Sequence, residues 1–403
     1  MNNTTLNMVY LDDGKAIIKQ KGNGGGEGES TNPTGIVNDV TFYDYDGAVL
    51  YGFSKDEFLL LEEMPELPTQ DGLVCQGWNW DWEAARSYVN KYGILDVGAI
   101  YTTDDGATRV YITLPTNGQL NVHVYITQTV SNGVIVDWGD GSATETINGT
   151  GAVNTSHRYA GAGDYRISLL PQDNCVLGFG DGNLYNIVEN SNSTMIYSNF
   201  VTKVNVGKNV PTIATRSLNG LSLRNGVSVP ASVTTLAVSA LISTGIPCFV
   251  CTSSMNDFNP YAVISDKVST FVYSSKSSAS LTSLAQNAFR AFNKVQRLVL
   301  PDGIRTIQNF ALSGLNSLTS LVIPSTVTAF WSDALSGNWF SCGYLDFSHV
   351  LQVPSLSSPL TYLTAQCKII VPDELYDEWI SATNWSAKAD QTVKKSDWDN
   401  QNA

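Results

Sequence analysis

The residues best suited to chemistry gather in one stretch, VDWGDGSATETINGTGAVNTSHRYAGAGDYRISL, from Val136 to Leu169. His157 has Asp137 and Asp140 within reach in sequence, and a His–carboxylate couple activates a nucleophile when a hydroxyl sits beside it. Ser142 and Ser156 are the nearby hydroxyls, but neither lies in a nucleophile elbow and no oxyanion-hole pattern accompanies them. Zinc needs three or four His, Cys or carboxylate ligands. His123, His157 and His349 are scattered and form no such set. Asp137 and Asp140 offer oxygen ligands for calcium, yet the D-x-D-x-D-G spacing of a calcium loop is missing. No catalytic, cofactor-binding or metal-binding residue is assigned, no cofactor is expected, and the chain is expected not to be an enzyme.

The cysteines are Cys75, Cys175, Cys248, Cys251, Cys342 and Cys367, and only CFVC at 248–251 brings two together. A single C-x-x-C is a weak zinc or redox signal, and within the apolar run IPCFVC it reads as core filling. The even count permits disulfides without requiring them. Trp78, Trp80 and Trp82 offer either rings for stacking a sugar or the core of a small domain.

Elements that position these residues follow from periodicity and turn chemistry. LNMVYL and KAIIKQ flank a DDG turn and predict an N-terminal hairpin. KGNGGGEGESTNPTG, residues 21–35, is a linker by composition, so 1–35 reads as an anchor hairpin and tether. Residues 36–112 read as an α+β module. Ser54 and Glu57 fit a capping box before a helix over DEFLLLEEM, and Asp81 caps a second helix that carries Trp82, Ala85, Val89 and Tyr92 on one face and closes at Gly93. VGAIYTTDDGATRVYITL predicts strand, turn and strand. In 113–171, period-two alternation places Val122, Val124 and Ile126, then Val134, Val136 and Trp138, then Tyr165, Ile167 and Leu169 on buried faces of an antiparallel sandwich. In 172–403, VNVGKNVPTI aligns with VSVPASVTTL, and LVLPDGIRTI with LVIPSTVTAF, each offset by about 23 residues. Asp373 is expected to cap a terminal helix bearing Leu375, Tyr376, Trp379 and Ile380, which would shield the end of the array. The fold class is multidomain and mainly β: a small α+β N-terminal module, an immunoglobulin-like β-sandwich and a C-terminal repeat solenoid.

Three resemblances sharpen this reading. The set Trp138, Gly139, Asp140, Gly141 and Ser142, then His157 and Tyr159, then Gly163 and Tyr165, resembles the PKD family of immunoglobulin-like domains. That resemblance implies structural roles. Trp138 and Tyr165 would fill the core, Asp140 would tie the turn to backbone amides, and His157 would cap the following turn. The spacing of 284–335 resembles the BspA-like leucine-rich repeats, with weaker agreement over 172–280. The block GWNW…LDVGAIYTTDDGATRVYI resembles a module of tail-fibre and surface proteins from gut bacteria and their phages.

Composition bounds the partners. Over 403 residues, charged types make up only 15% and the net charge is −14, so the chain repels phosphate backbones and nucleic acid is not an expected partner. No apolar run reaches the ~20 residues that span a bilayer, and the first residues lack a basic-then-apolar secretion signal. The expectation is a bacteriophage virion protein: a head fibre, tail fibre or capsid decoration on the virion surface. It would hold other virion proteins through its N-terminal arm and display its other domains to a host-surface protein or glycan. A homo-oligomer, a trimer as in many fibres, is expected. A bacterial cell-surface adhesin of BspA type is the alternative, and a glycan depolymerase a lesser one. The domains are expected to follow one another as a rod.

Overall fold

A computed structural model describes residues 7–10, 16–19, 38–116, 120–172, 174–180, 186–190, 199–255, 259–337, 342–361 and 363–402. Strands Asn7–Tyr10 and Ala16–Lys19 pair antiparallel, with Asn7 opposite Lys19 and Tyr10 opposite Ala16. The DDG turn and the Gly-rich tract at 21–35 lie outside the described residues.

The α+β module is a four-stranded sheet in the order Val49–Phe53, Val40–Tyr43, Leu95–Thr103, Leu73–Trp78. Val40–Tyr43 runs parallel to Leu95–Thr103. A parallel pair needs a crossover, and helix Trp82–Tyr92 lies in that connection. Asp81 accepts from the Ala84 amide at its start, and Gly93 closes it in the left-handed conformation. The capping box forms as expected, with Ser54 accepting from the Glu57 amide, but the helix it opens covers only Lys55–Leu59. Trp80 is buried, and Trp78 and Trp82 pack partly buried against the same aromatic core, so none of the three forms a stacking platform.

The expected strand, turn and strand form as Leu95–Thr103 and Thr108–Leu114 about Asp104–Gly106, but the two strands do not pair with each other. Thr108–Leu114 instead enters a six-stranded sheet in the order Glu145–Thr146, Val134–Asp137, Gly163–Pro171, Thr108–Leu114, Val201–Asn205, Val227–Ser228. A boundary after residue 112 would cut this strand. The facing sheet sets Asn121–Gln128 against Gly151–Arg158, Leu177–Phe179 and Val188–Asn190. Two short strands beyond residue 172 therefore belong to the sandwich. Val122, Val124 and Ile126 point into the space between the sheets, where Val134, Val136, Ile167 and Leu169 meet them.

Val201–Asn205 is the joint between the sandwich and the C-terminal repeats. Along one edge it is antiparallel to Thr108–Leu114, and along the other it is parallel to Val227–Ser228. From there the chain coils in two parallel ladders. The first ladder continues through Cys248–Val250 and Thr270–Val272, and later through Ser320–Val322, Tyr344–Asp346, Lys368–Val371 and Thr392–Lys394. The second runs through Thr212–Ile213 and Thr235–Leu236, and later through Ser283–Leu284, Thr306–Ile307, Ala329–Phe330 and Ser355–Leu356. Side chains that bond from coil to coil are 23 residues apart at Asn205–Ser228, Ser283–Thr306 and Asn293–Asn316. The weakly patterned stretch near 204–236 thus obeys the same period as 284–335. A coil cannot bury its apolar side alone, so the stack is held by one core, and it is continuous from Val110 in the sandwich to Trp385 at the far end.

That far end is closed by aromatic rings. Trp379 and Trp385 are buried 4.9 Å apart against Phe347, and the Trp385 indole donates to the Pro354 carbonyl at 2.7 Å. Asp373 does not cap the helix Tyr376–Ser381. It precedes that helix in a short 3-10 turn, and its carboxylate accepts from the Ser396 amide at 3.0 Å, in the first turn of helix Lys395–Asn402. Leu375 and Tyr376 pack against the core beside Trp379, and Ile380 is only partly covered.

Candidate functional site

The stretch with the richest chemistry folds into a turn tied to the sandwich. Gly139 and Gly141 adopt positive φ, and a Cβ on Gly139 would lie 2.3 Å from the Arg166 carbonyl oxygen, so only glycine fits there. Asp137 accepts from the Gly139 amide at 2.9 Å, and Asp140 from the Ser142 amide at 3.1 Å. The His157 imidazole pairs with Asp140 at 2.7 Å and stacks on Trp138 with ring centres 5.1 Å apart. It reaches back to the preceding turn rather than forward to the one that follows it. Hydrogen bonds from Ser142, then from His157, hold the Asp140 carboxyl down at about 2. The Trp138 indole donates to Glu145 at 3.0 Å, and the Tyr159 hydroxyl donates to the Trp138 carbonyl at 2.8 Å. Trp138 is buried, while Tyr165 sits partly covered at the core edge, 4.1 Å from the Tyr159 ring, and donates to Gly161. Structure thus gathers the whole motif around one turn. Both aspartates are committed to amides, and among the described residues no group of three His, Cys, Asp or Glu side chains is placed to hold a metal.

Cys248 and Cys251 do not act as a pair. Three residues apart on an extended chain, they face opposite sides. Cys251 joins the coil core and Cys248 lies outside it against Ile100. Burial pushes both thiols well up.

Cys248 belongs to a surface that the sequence does not expose as special. Along the first ladder, Phe249, Phe271, Leu298, Leu300 and Leu321 point into the coils. The alternate residues Cys248, Val250, Val272, Val299 and Val322 point out, and the α+β module lies across them. Gly98 permits the contact, because a Cβ there would meet Val250 at 2.3 Å. Polar groups are matched across the seam. Asn79 donates to the carbonyls of Cys251 and Tyr273 at 3.0 and 3.1 Å, and Trp80 to Tyr273 at 2.8 Å. Tyr88 donates to the Leu300 carbonyl at 2.6 Å, and Lys91 pairs with Asp302 at 3.0 Å. Arg297 bonds the carbonyls of Asn38, Asp39 and Leu95 and forms an ion pair with buried Asp96 at 3.2 Å. Burial pushes the Asp96 carboxyl up, and Arg297 opposes the shift. The modules therefore do not follow one another as a rod; the first folds back over the strands of the last.

Two surfaces stay open. One is a cleft of about 530 Å³ between sandwich and first coils, lined by Thr127, Gln128, Thr129, Thr150, Gly151, Val176, Leu177, Gly178, Pro211, Thr212 and Ala214. Its volume falls in the range of small-molecule sites, and its lining side chains are uncharged. The other is the outer face of the second ladder. Its outward positions are Ser283, Thr306, Ala329 and Ser355 on one side of the inward residue and Ala285, Gln308, Trp331 and Ser357 on the other.

With two parallel ladders on a repeat of 23 residues on the page, the family comparison is direct. Residues 270–346 match the BspA type leucine rich repeat region, in six copies. The match covers the coils from Thr270–Val272 to Tyr344–Asp346, while the earlier coils share their geometry without being part of it. A search among curated proteins finds no match to the chain. Sequence reasoning missed the covered ladder. The signal available was the repeated apolar residue at an outward strand position, Val250, Val272, Val299 and Val322, where a solvated ladder carries polar side chains.

Proposed function

We propose that this chain is a non-enzymatic recognition protein displayed on a biological surface, with its solenoid as the reading element. The observation that carries the proposal is the BspA-type repeat array, whose second ladder stays uncovered while the first is used to assemble the molecule. Repeat solenoids present long, rigid surfaces and serve binding far more often than chemistry. Among the described residues no helix is long and apolar enough to cross a membrane, so attachment falls to other parts of the chain or to partners. The N-terminal hairpin and Gly-rich tract, together with the likeness of the 36–112 block to fibre modules, favour a phage virion as the carrier. The BspA-type match favours a bacterial cell surface as the second reading.

Binding of the fluorescently labelled full chain to a panel of intact gut bacteria and to mucin tests recognition. Saturable binding to one of them is expected, and absence of binding to all overturns the proposal. Mass spectrometry of purified phage particles and of surface-shaved cells from the source culture separates the two carriers. Release of reducing sugar from bacterial polysaccharide by the purified chain would instead favour the depolymerase reading.

A further inference from the structure

We infer that the outer face of the second ladder, around Trp331 and Phe310, is a binding platform for a neutral oligosaccharide. The inference rests on the recognition role proposed above and assigns it a ligand class. Trp331 is 48% exposed and Phe310 40% exposed, on adjacent coils. The Trp331 amide donates to the Ile307 carbonyl at 2.9 Å, which sets Trp331 over the coil that carries Phe310 three residues further on. Both lie just past the second-ladder strands Thr306–Ile307 and Ala329–Phe330, and exposed large aromatics on neighbouring coils mark interaction sites.

Phe310 supplies an independent observation. Five coils turn after their second strand through a residue of positive φ: Arg216 at 62°, Ser239 at 63°, Asn287 at 60°, Phe310 at 56° and Asp333 at 56°. Asn and Asp tolerate this conformation, and a bulky ring does not. Phe310 therefore carries backbone strain while its ring stays 40% exposed. Strain held at an exposed position points to function.

The neighbours of these rings specify the ligand. Thr306 donates to the Ser283 hydroxyl at 2.9 Å, and Gln308 donates to the same oxygen at 2.9 Å, so the amide of Gln308 is held in one orientation beside Trp331. All eight outward ladder positions from Ser283 to Ser357 are uncharged. Exposed ring faces beside fixed hydroxyl and amide groups match the two sides of a pyranose, whose C–H face stacks on an aromatic and whose rim exchanges hydrogen bonds. Parallel strands lie about 4.8 Å apart, comparable with the length of one sugar unit, so successive coils can meet successive rings. An anionic polymer is disfavoured by the net charge of −14.

The test titrates the full chain with neutral hexasaccharides of glucose, mannose, galactose and N-acetylglucosamine, read by tryptophan fluorescence and calorimetry. Binding of at least one is expected. Trp331→Ala should weaken it at least tenfold and Phe310→Asn at least threefold, while Leu60→Ser, at an exposed apolar residue of the α+β module, leaves it unchanged. Circular dichroism checks that each variant folds. No binding of any hexasaccharide at millimolar concentration overturns the inference, as does equal binding by wild type and Trp331→Ala. Concentration-dependent self-association that Trp331→Ala abolishes also overturns it, by assigning the face to a second copy. If the chain binds intact cells and Trp331→Ala binds them equally, the platform falls while the recognition role stands; if the chain binds no cells at all, the role itself falls.

Discussion

The two ladders of the solenoid obey one geometry and have opposite fates. Both put one residue into the coil and the next outward. On the first ladder the outward residues Val250, Val272, Val299 and Val322 are covered by the α+β module. On the second they are Ser283, Thr306 and Gln308, partly exposed, and Trp331, exposed. Repeat architecture therefore supplies two faces, and the chemistry of the outward residues decides which assembles the molecule and which stays uncovered.

The largest test of this contrast removes the charge that ties the covered face together. Arg297→Met leaves Asp96 buried without a partner and should lower stability by about 3 kcal/mol, measured by urea unfolding. The pH dependence follows from Asp96, whose carboxyl burial holds above its ordinary value of 3.8. The folded state then keeps a proton that the unfolded state has released, so stability falls as pH rises from the ordinary carboxylate range through the raised one. Asp96→Asn should flatten that fall, and an unchanged pH profile would mean that burial does not hold the Asp96 carboxyl up. A smaller effect comes from Gly98→Val, which places a side chain where Val250 already lies and should cost about 1–3 kcal/mol. Limited proteolysis should then release a fragment ending near residue 107.

On the open face the sign reverses. Phe310→Asn puts a tolerant residue in the left-handed position and should raise stability by about 1 kcal/mol, visible as a higher Tm, even as it removes the proposed platform. The smallest change is expected from Ser357→Val, at an exposed outward position, within about 0.5 kcal/mol of wild type. A loss on the scale of Gly98→Val would mean that the second ladder is covered too, and the contrast would fail.

Much of the local architecture was legible because short-range rules govern it. Ser54, Glu57, Asp81 and Gly93 act as caps where their types and spacing require. The glycines and aspartates of the Trp138–Ser142 turn hold it as their tolerance of positive φ and their acceptor oxygens dictate. The period near 23 residues emerged from two aligned pairs alone. Boundaries were less legible. VGAIYTTDDGATRVYITL reads as strand, turn and strand without a partner for the second strand, because alternation around a DG turn is the same whether that strand pairs with its neighbour or with Gly163–Pro171. Asp373 reads as a cap for the helix that follows it, yet it serves Ser396, which only the closing of the solenoid end brings near.

By itself, the sequence determined which residues turn, which cap, which point into a strand pair or a coil, and how long one coil is. These depend on neighbours a few positions away. The tertiary structure alone decided that the first module folds over one ladder and leaves the other bare. The bonds that settle it join residues 172, 194 and 212 positions apart, between Asn79 and Cys251, Asn79 and Tyr273, and Tyr88 and Leu300. Alternation along a strand states that Val299 points outward; it carries no information about what will come to rest on it.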